Sequence, residues 1–142
     1  MKCVKCGHDP EAVVTASWTL ELDKRVTSAN LHVVNAGGSR WRYAKERDAW
    51  AWLVRVARLA AAPGLAPADR RRRITVERVY AGRCQEIDVD NLVAGVKPLV
   101  DAMVREGMAR DDSRAWLELH VMQRRAERNV TLVTVEEIAD AS

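Results

Sequence analysis

The sequence predicts an α+β domain, a single mixed β-sheet packed by two main helices, and three patterns predict it. Val14, Ala16, Trp18, Leu20 and Leu22 alternate with more polar neighbours, the period of a strand with one buried face. Trp50, Leu53, Val54, Ala57 and Ala61 recur at the spacing of a helix with one apolar side. The last third holds two more extended runs, an alternation through Ala115, Leu117, Leu119 and Val121 and a β-branched run from Val130 to Val135. The resulting order, β(β)–α–β–α–β–β, fits one sheet covered by helices.

Taken in order, residues 1–10 form a Cys-containing head and residues 11–142 the domain proper. The first strand is followed by Thr27 to Gly38, read as a strand remnant and loop ending in Gly-Gly. Ser39 is placed to cap a long helix running to about Ala61, and Pro63, Gly64 and Pro67 then break it. Arg73 to Tyr80 reads as a strand and Gln85 to Asn91 as a strand end or loop. A second helix is expected over at least Pro98 to Glu106. Pro98 belongs in its first turn, where a missing N–H costs nothing, and Gly107 stops it. No repeat, low-complexity tract or second domain is visible.

Charge is unevenly spread. The net charge is +3, yet residues 40–83 hold twelve Lys and Arg against four Asp and Glu, so the rest of the chain is acidic. A basic part suits a polyanion and an acidic part suits cations. Arg40, Arg42, Lys45 and Arg47 crowd the start of the first helix, an unfavourable place for cations unless they face something anionic. With Arg70, Arg71, Arg72 and Arg73 they are the candidates for DNA phosphate contacts. A solvated basic helix and strand end is the alternative. No apolar run approaches the ~20 residues that span a bilayer, and the first ten residues lack the apolar stretch of a secretory signal. A cytoplasmic protein without a membrane partner is therefore expected. Three cysteines, an odd number, count against a disulfide framework.

The informative stretch begins at Asp88-Val89-Asp90-Asn91-Leu92. It continues through Lys97 and Asp101-Ala102-Met103 to Gly107 and Asp111-Asp112. On an extended chain Asp88 and Asp90 point to the same side, roughly 6–7 Å apart. Lys97 and Asp101 share one helix face. So many carboxylates need protons, basic partners or a metal, and oxygen ligands favour Mg²⁺ or Mn²⁺ over Zn²⁺. An EF-hand does not fit, because Leu92 stands where an oxygen ligand belongs. Each piece also has a plain structural role open to it: a cap for Asp90 or Asn91, an ion pair for Asp101 with Lys97, a solvated turn for Asp111 and Asp112.

The combination resembles the signature of the RusA-type Holliday-junction resolvases over about 25 residues. A looser likeness takes in Ser28-Ala29-Asn30 and the order of elements. The resemblance implies a homodimer that nicks opposed strands of a four-way DNA junction with Mg²⁺, in recombination and repair, often in a phage setting. It implies Asp88, Asp90 and Asp112 as metal ligands and Lys97 as the catalytic lysine, supported by Asn91, Asp101 and Asp111. Two departures stand out. Lys97 lies about one helical turn further from Asp90 than in the shortest family forms, and the basic run at Arg70 to Arg73 lies well upstream of Asp88.

Two other features stay open. Cys3, Cys6 and His8 look like one knuckle of a zinc ribbon, which needs a fourth ligand from Cys84, His32, His120 or a dimer partner; a degenerate head with free thiols is the alternative. Of the five tryptophans, Trp18, Trp50, Trp52 and Trp116 are expected in the core or a dimer interface, whereas Trp41 sits between arginines. The rival functions are a non-catalytic DNA-binding protein that retains the fold, and a nuclease for another branched DNA such as a fork or flap.

Overall fold

A computed structural model describes residues 13–28 and 38–139. The cysteine head and residues 29–37 lie outside them, and with them Cys3, Cys6, His8 and His32. The elements are β1 (Val13–Leu22), α1 (Gly38–Ala61), β2 (Arg72–Tyr80), α2 (Val89–Arg105), β3 (Leu117–Arg125) and β4 (Val130–Ala139). They form one mixed four-stranded sheet in the order β1-β4-β2-β3, with two helices, as the apolar periodicities predict.

β2 and β3 run parallel, which requires a crossover, and α2 supplies it. β4 lies antiparallel between β1 and β2. To reach that place the chain turns round the end of β2 after β3. Ala126 N–H donates to the Tyr80 carbonyl at 2.9 Å, and the Asn129 side-chain oxygen accepts from Ala81 N–H at 2.8 Å.

The register decides which side chains share a face. Ile74 sits between Leu119 and Val135, and Val76 between Val121 and Val133. Leu20, Leu22, Ile74, Val76, Leu117, Val133 and Val135 meet Trp50 and Val54 of α1 and Leu92, Val96, Leu99 and Met103 of α2 in one core. At ~25 cal/mol per Å² of apolar area this burial is the main stabilising term.

Two expectations are corrected, that Asn91 belongs to a strand end or loop and that Pro98 lies in the first turn of the second helix. The helix starts at Val89, nine residues before Pro98, because Asp88 caps it. The Asp88 carboxylate accepts from Asn91 N–H at 3.3 Å and from the Asn91 amide at 2.6 Å. Leu92, Val96, Leu99 and Met103 then fall on one buried stripe, and their burial outweighs the interruption at Pro98. Pro98 is thus inside the helix and buried. The carbonyl it cannot serve belongs to exposed Ala94, where water is available. The predicted stop holds: Gly107 has φ +80°, the left-handed cap that glycine adopts freely.

Candidate functional site

The early start of α2 changes the geometry of the acidic motif. Asp88 and Asp90 are not on an extended chain. Asp88 is the cap, and Asp90 stands exposed in the first turn. Seven residues on is Lys97, and four further Asp101. At 3.6 residues per turn these put Asp90, Lys97 and Asp101 on one face of α2, with Asp90 and Lys97 about 10 Å apart along the axis. The extra helical turn before Lys97 therefore keeps the lysine in line with Asp90.

Lys97 is the hub. Its Nζ donates to Asp112 Oδ2 at 2.7 Å and lies 3.0 Å from Asp101 Oδ1. Asp111 orients the same loop, its Oδ1 accepting from Asp112 N–H at 2.6 Å. The hydrogen bond to Asp112 and the second carboxylate at Asp101 raise the Lys97 pKa above the ordinary lysine value. In return, Lys97 and the neighbouring Asp111 hold Asp112 below the usual carboxylate range. Asp88 is likewise lowered by its hydrogen bonds from Asn91.

Sequence reasoning missed Tyr43. From the second turn of α1, its hydroxyl donates to Asp101 Oδ2, whose other oxygen meets Lys97. Burial and the Asp101 bond raise the Tyr43 pKa to about 12. Nothing in the spacing singles it out, because its partner lies 58 residues away. A tyrosine with a raised pKa favours folding fully below its unfolded value of ~10 and loses that contribution as the pH climbs towards about 12. An ultraviolet titration should therefore show a late-ionising tyrosine near pH 12 that disappears in Tyr43→Phe. A titration of Tyr43 at pH 10 would mean that the bond to Asp101 does not exist in solution.

This bond sets the basic end of α1 beside the Lys97 cluster. Arg40, Arg42 and Lys45 are exposed there, Lys45 lying over the Trp41 ring at 5.0 Å. Arg47 is half-buried, 3.6 Å from Asp48. Lys24, Trp41, Arg42, Lys45, Glu46 and Ala49 line a cavity of about 370 Å³ on this helix. Further along, Arg55 grips Glu106 through two bonds of 2.9 and 3.0 Å, and Arg105 meets Asp48 at 2.8 Å, so the two helices are locked together.

The second basic run is not one surface. Strand alternation splits it. Arg72 points into the helix-covered side, 1% exposed, and bonds Glu137 at 2.9 Å and the Ala66 and Met108 carbonyls. It holds the fold, and its burial removes it from the exposed surface that the expected phosphate contact requires. Arg71 and Arg73 turn to the other face, towards the buried Glu118, and Arg71 also donates to the Arg114 carbonyl at 2.9 Å. Arg70 remains exposed, near Asp69 and Glu137.

The approach to Asp88 is fixed from β3. Gln123 donates to the Ile87 carbonyl at 2.5 Å and accepts from Ile87 N–H at 3.1 Å, while buried Arg78 donates to Gln123 and to the Gln85 and Val26 carbonyls. Buried Arg78 and half-buried Gln123 thus anchor the residue before the cap.

The residues named as metal ligands do not form a ready group. Among the described residues no three His, Cys, Asp or Glu side chains are arranged to hold an ion. Asp88 is engaged as a cap, Asp112 is neutralised by Lys97, and Asp90 lies two helical turns up the shared face. Of the residues considered for completing a zinc site, the two among the described residues have other partners: Cys84 accepts from Arg25 at 2.6 Å, and His120 meets Glu118 at 2.9 Å. Among the described residues no helix is long and apolar enough to cross a membrane. No family model and no curated protein matches the chain.

Proposed function

We propose that the chain is an endonuclease of the RusA type that hydrolyses phosphodiester bonds in four-way branched DNA. The Tyr43–Asp101 hydrogen bond carries this reading, because it joins the exposed cations Arg40, Arg42 and Lys45 to the Lys97–Asp112 cluster. A DNA backbone held on those cations would bring a phosphate to the lysine. In hydrolysis a water oxygen bonds to phosphorus while one phosphorus–oxygen ester bond breaks, and negative charge gathers on the phosphoryl oxygens. Lys97, kept protonated by its carboxylate partners, is the residue that stabilises this charge. Asp101 and Tyr43 hold it in place. Binding should weaken steeply with salt, as contacts to backbone phosphates do.

Mg²⁺ or Mn²⁺ dependence is proposed with it, from the resemblance and from the oxygen-only character of exposed Asp90 and Asp112. These two and Asp88 do not fit a bound ion as they stand, since Lys97 takes Asp112 and Asp88 caps α2. That same observation favours a second reading, a DNA-binding protein of this fold without activity. The two separate when the protein is incubated with a synthetic four-way junction in Mg²⁺ or Mn²⁺, beside an Asp90→Asn variant. Paired nicks from the wild type are expected, with none from the variant although it still binds. Binding without nicks by the wild type in both metals establishes the second reading; nicks in a fork or flap alone change the substrate.

A further inference from the structure

The basic start of α1 carries a hollow. Trp41, Arg42, Lys45, Glu46 and Ala49 lie within about 140° of one another round the helix. With Lys24, from the chain just after β1, they line the cavity of about 370 Å³. Ala49 opens it: near the middle of that arc it offers only a methyl group between long side chains. Lys24 is fixed in place, over the Trp50 ring at 5.4 Å and 3.1 Å from Glu46.

The lining combines a flat apolar wall with three cations and one carboxylate. Trp41 is 65% exposed even with the Lys45 ammonium 5.0 Å from its ring centre. A single exposed indole needs no explanation. One that walls a cavity ringed by cations matches both halves of a nucleotide, the ring stacking on a base and the cations meeting a phosphate. Glu46 adds a third contact. Its Oε1 is buried and accepts no hydrogen bond, although Lys24 stands beside it. A buried acceptor left in that condition suits a base that offers an amino group.

We propose that this cavity takes one unpaired nucleotide of a DNA strand, with a base that carries an amino group. The base stacks on Trp41, its amino group donates to Glu46, and Arg42 and Lys45 meet its phosphate. Inside a duplex a base is paired and stacked on both faces, so an indole reaches only a looped-out or single-stranded one. The volume lies at the small end of the ~300–1,000 Å³ usual for ligand sites, which suits one nucleotide and not a run of them. Such a contact reads a base, whereas the phosphate contacts of Arg40, Arg42 and Lys45 read only the backbone. The inference rests on the reading of this helix start as a DNA surface and does not depend on hydrolysis at Lys97.

Fluorescence anisotropy without divalent metal, so that no strand is cut, tests it. Labelled duplexes of one sequence are compared: fully paired, with one looped-out cytosine, and with an abasic site in place of that cytosine. The wild type should bind the looped-out cytosine about 5–100-fold more tightly than the other two, the range that one stacked base supplies. A looped-out thymine, with an oxygen acceptor where cytosine has its amino group, should bind about 10-fold less tightly than cytosine, and Glu46→Gln should shrink that difference. Trp41→Leu and Ala49→Leu, the second of which fills the hollow, should erase the advantage of the extra base while paired duplex binds as before. Circular dichroism should show the same fold for each variant. The proposal is overturned by equal binding of the three duplexes to the wild type, by an advantage that survives both Trp41→Leu and Ala49→Leu, or by equal binding of cytosine and thymine. Displacement of the looped-out duplex by micromolar dCMP would make a free nucleotide the ligand and overturn the assignment to a strand. Paired duplex that binds while the extra base adds nothing removes the cavity and keeps the DNA reading; a four-way junction that is bound and never nicked removes the nuclease and keeps the cavity.

Discussion

Replacing Lys97 with methionine is expected to lower single-turnover cleavage of a four-way junction about 10²–10³-fold, with junction binding nearly unchanged. Methionine keeps the length and apolar stem of the side chain and removes only the charge. One well-placed cationic donor at a developing oxyanion is worth about that factor. The fold should hardly notice. Lys97 is about half exposed, and its ion pairs with Asp101 and Asp112 are open to water, so their net contribution to stability is at most about 1 kcal/mol. The thermal midpoint should therefore move by only a few degrees while activity collapses. Cleavage by Lys97→Met at the wild-type rate would remove Lys97 from the chemistry and leave it as the counter-ion of two aspartates.

Glu118→Ala should do the reverse, costing about 3–5 kcal/mol of stability and roughly 10 °C in melting temperature. Glu118 is fully buried on the face of the sheet away from the helices. Its carboxylate accepts from Arg73, lies 2.9 Å from His120 and is 3.8 Å from Arg71. Burial alone pushes its pKa up; the hydrogen bonds from Arg73 and His120 more than offset this, and the group ends below the usual carboxylate range. A carboxylate lowered in the folded state stabilises it above the unfolded value of ~4.3, and that stability is lost as the pH falls through the lowered one. The deficit of Glu118→Ala should thus be full at pH 7 and shrink below pH 4. Glu118→Gln keeps a hydrogen-bond acceptor for Arg73 and should lose about 1–3 kcal/mol. Melts of the three proteins across pH 3–8 read all of this. An alanine variant within 1 kcal/mol of wild type at pH 7 would make the cluster a bystander.

The sequence by itself determined the strands and the long helix. Period-two alternation at Trp18, Leu20 and Leu22 and helical spacing at Trp50, Leu53 and Val54 are local patterns, and burial follows them directly. It also picked out the line of residues from Asp88 to Asp112 and the pairing of Lys97 with Asp101, since residues four apart on a helix must be neighbours. The start of α2 is not legible in the sequence, for a local reason too. Asp88 can serve an extended motif or a helix cap, and only the buried stripe from Leu92 to Met103, packed on the sheet, selects the cap over the penalty at Pro98.

Other features depended on contacts between residues far apart in the chain, and only the tertiary structure decided them. The four arginines from 70 to 73 look alike in sequence, but the register of β2 beside β4 buries Arg72 against Glu137 and turns Arg73 to Glu118. Asp112 reaches Lys97 because Gly107 turns the chain back. Tyr43 reaches Asp101 because α1 packs along α2, and no spacing rule joins positions 58 residues apart. Periodicity reports which side of an element is buried; which element covers that side, and which charges then meet, is settled by packing.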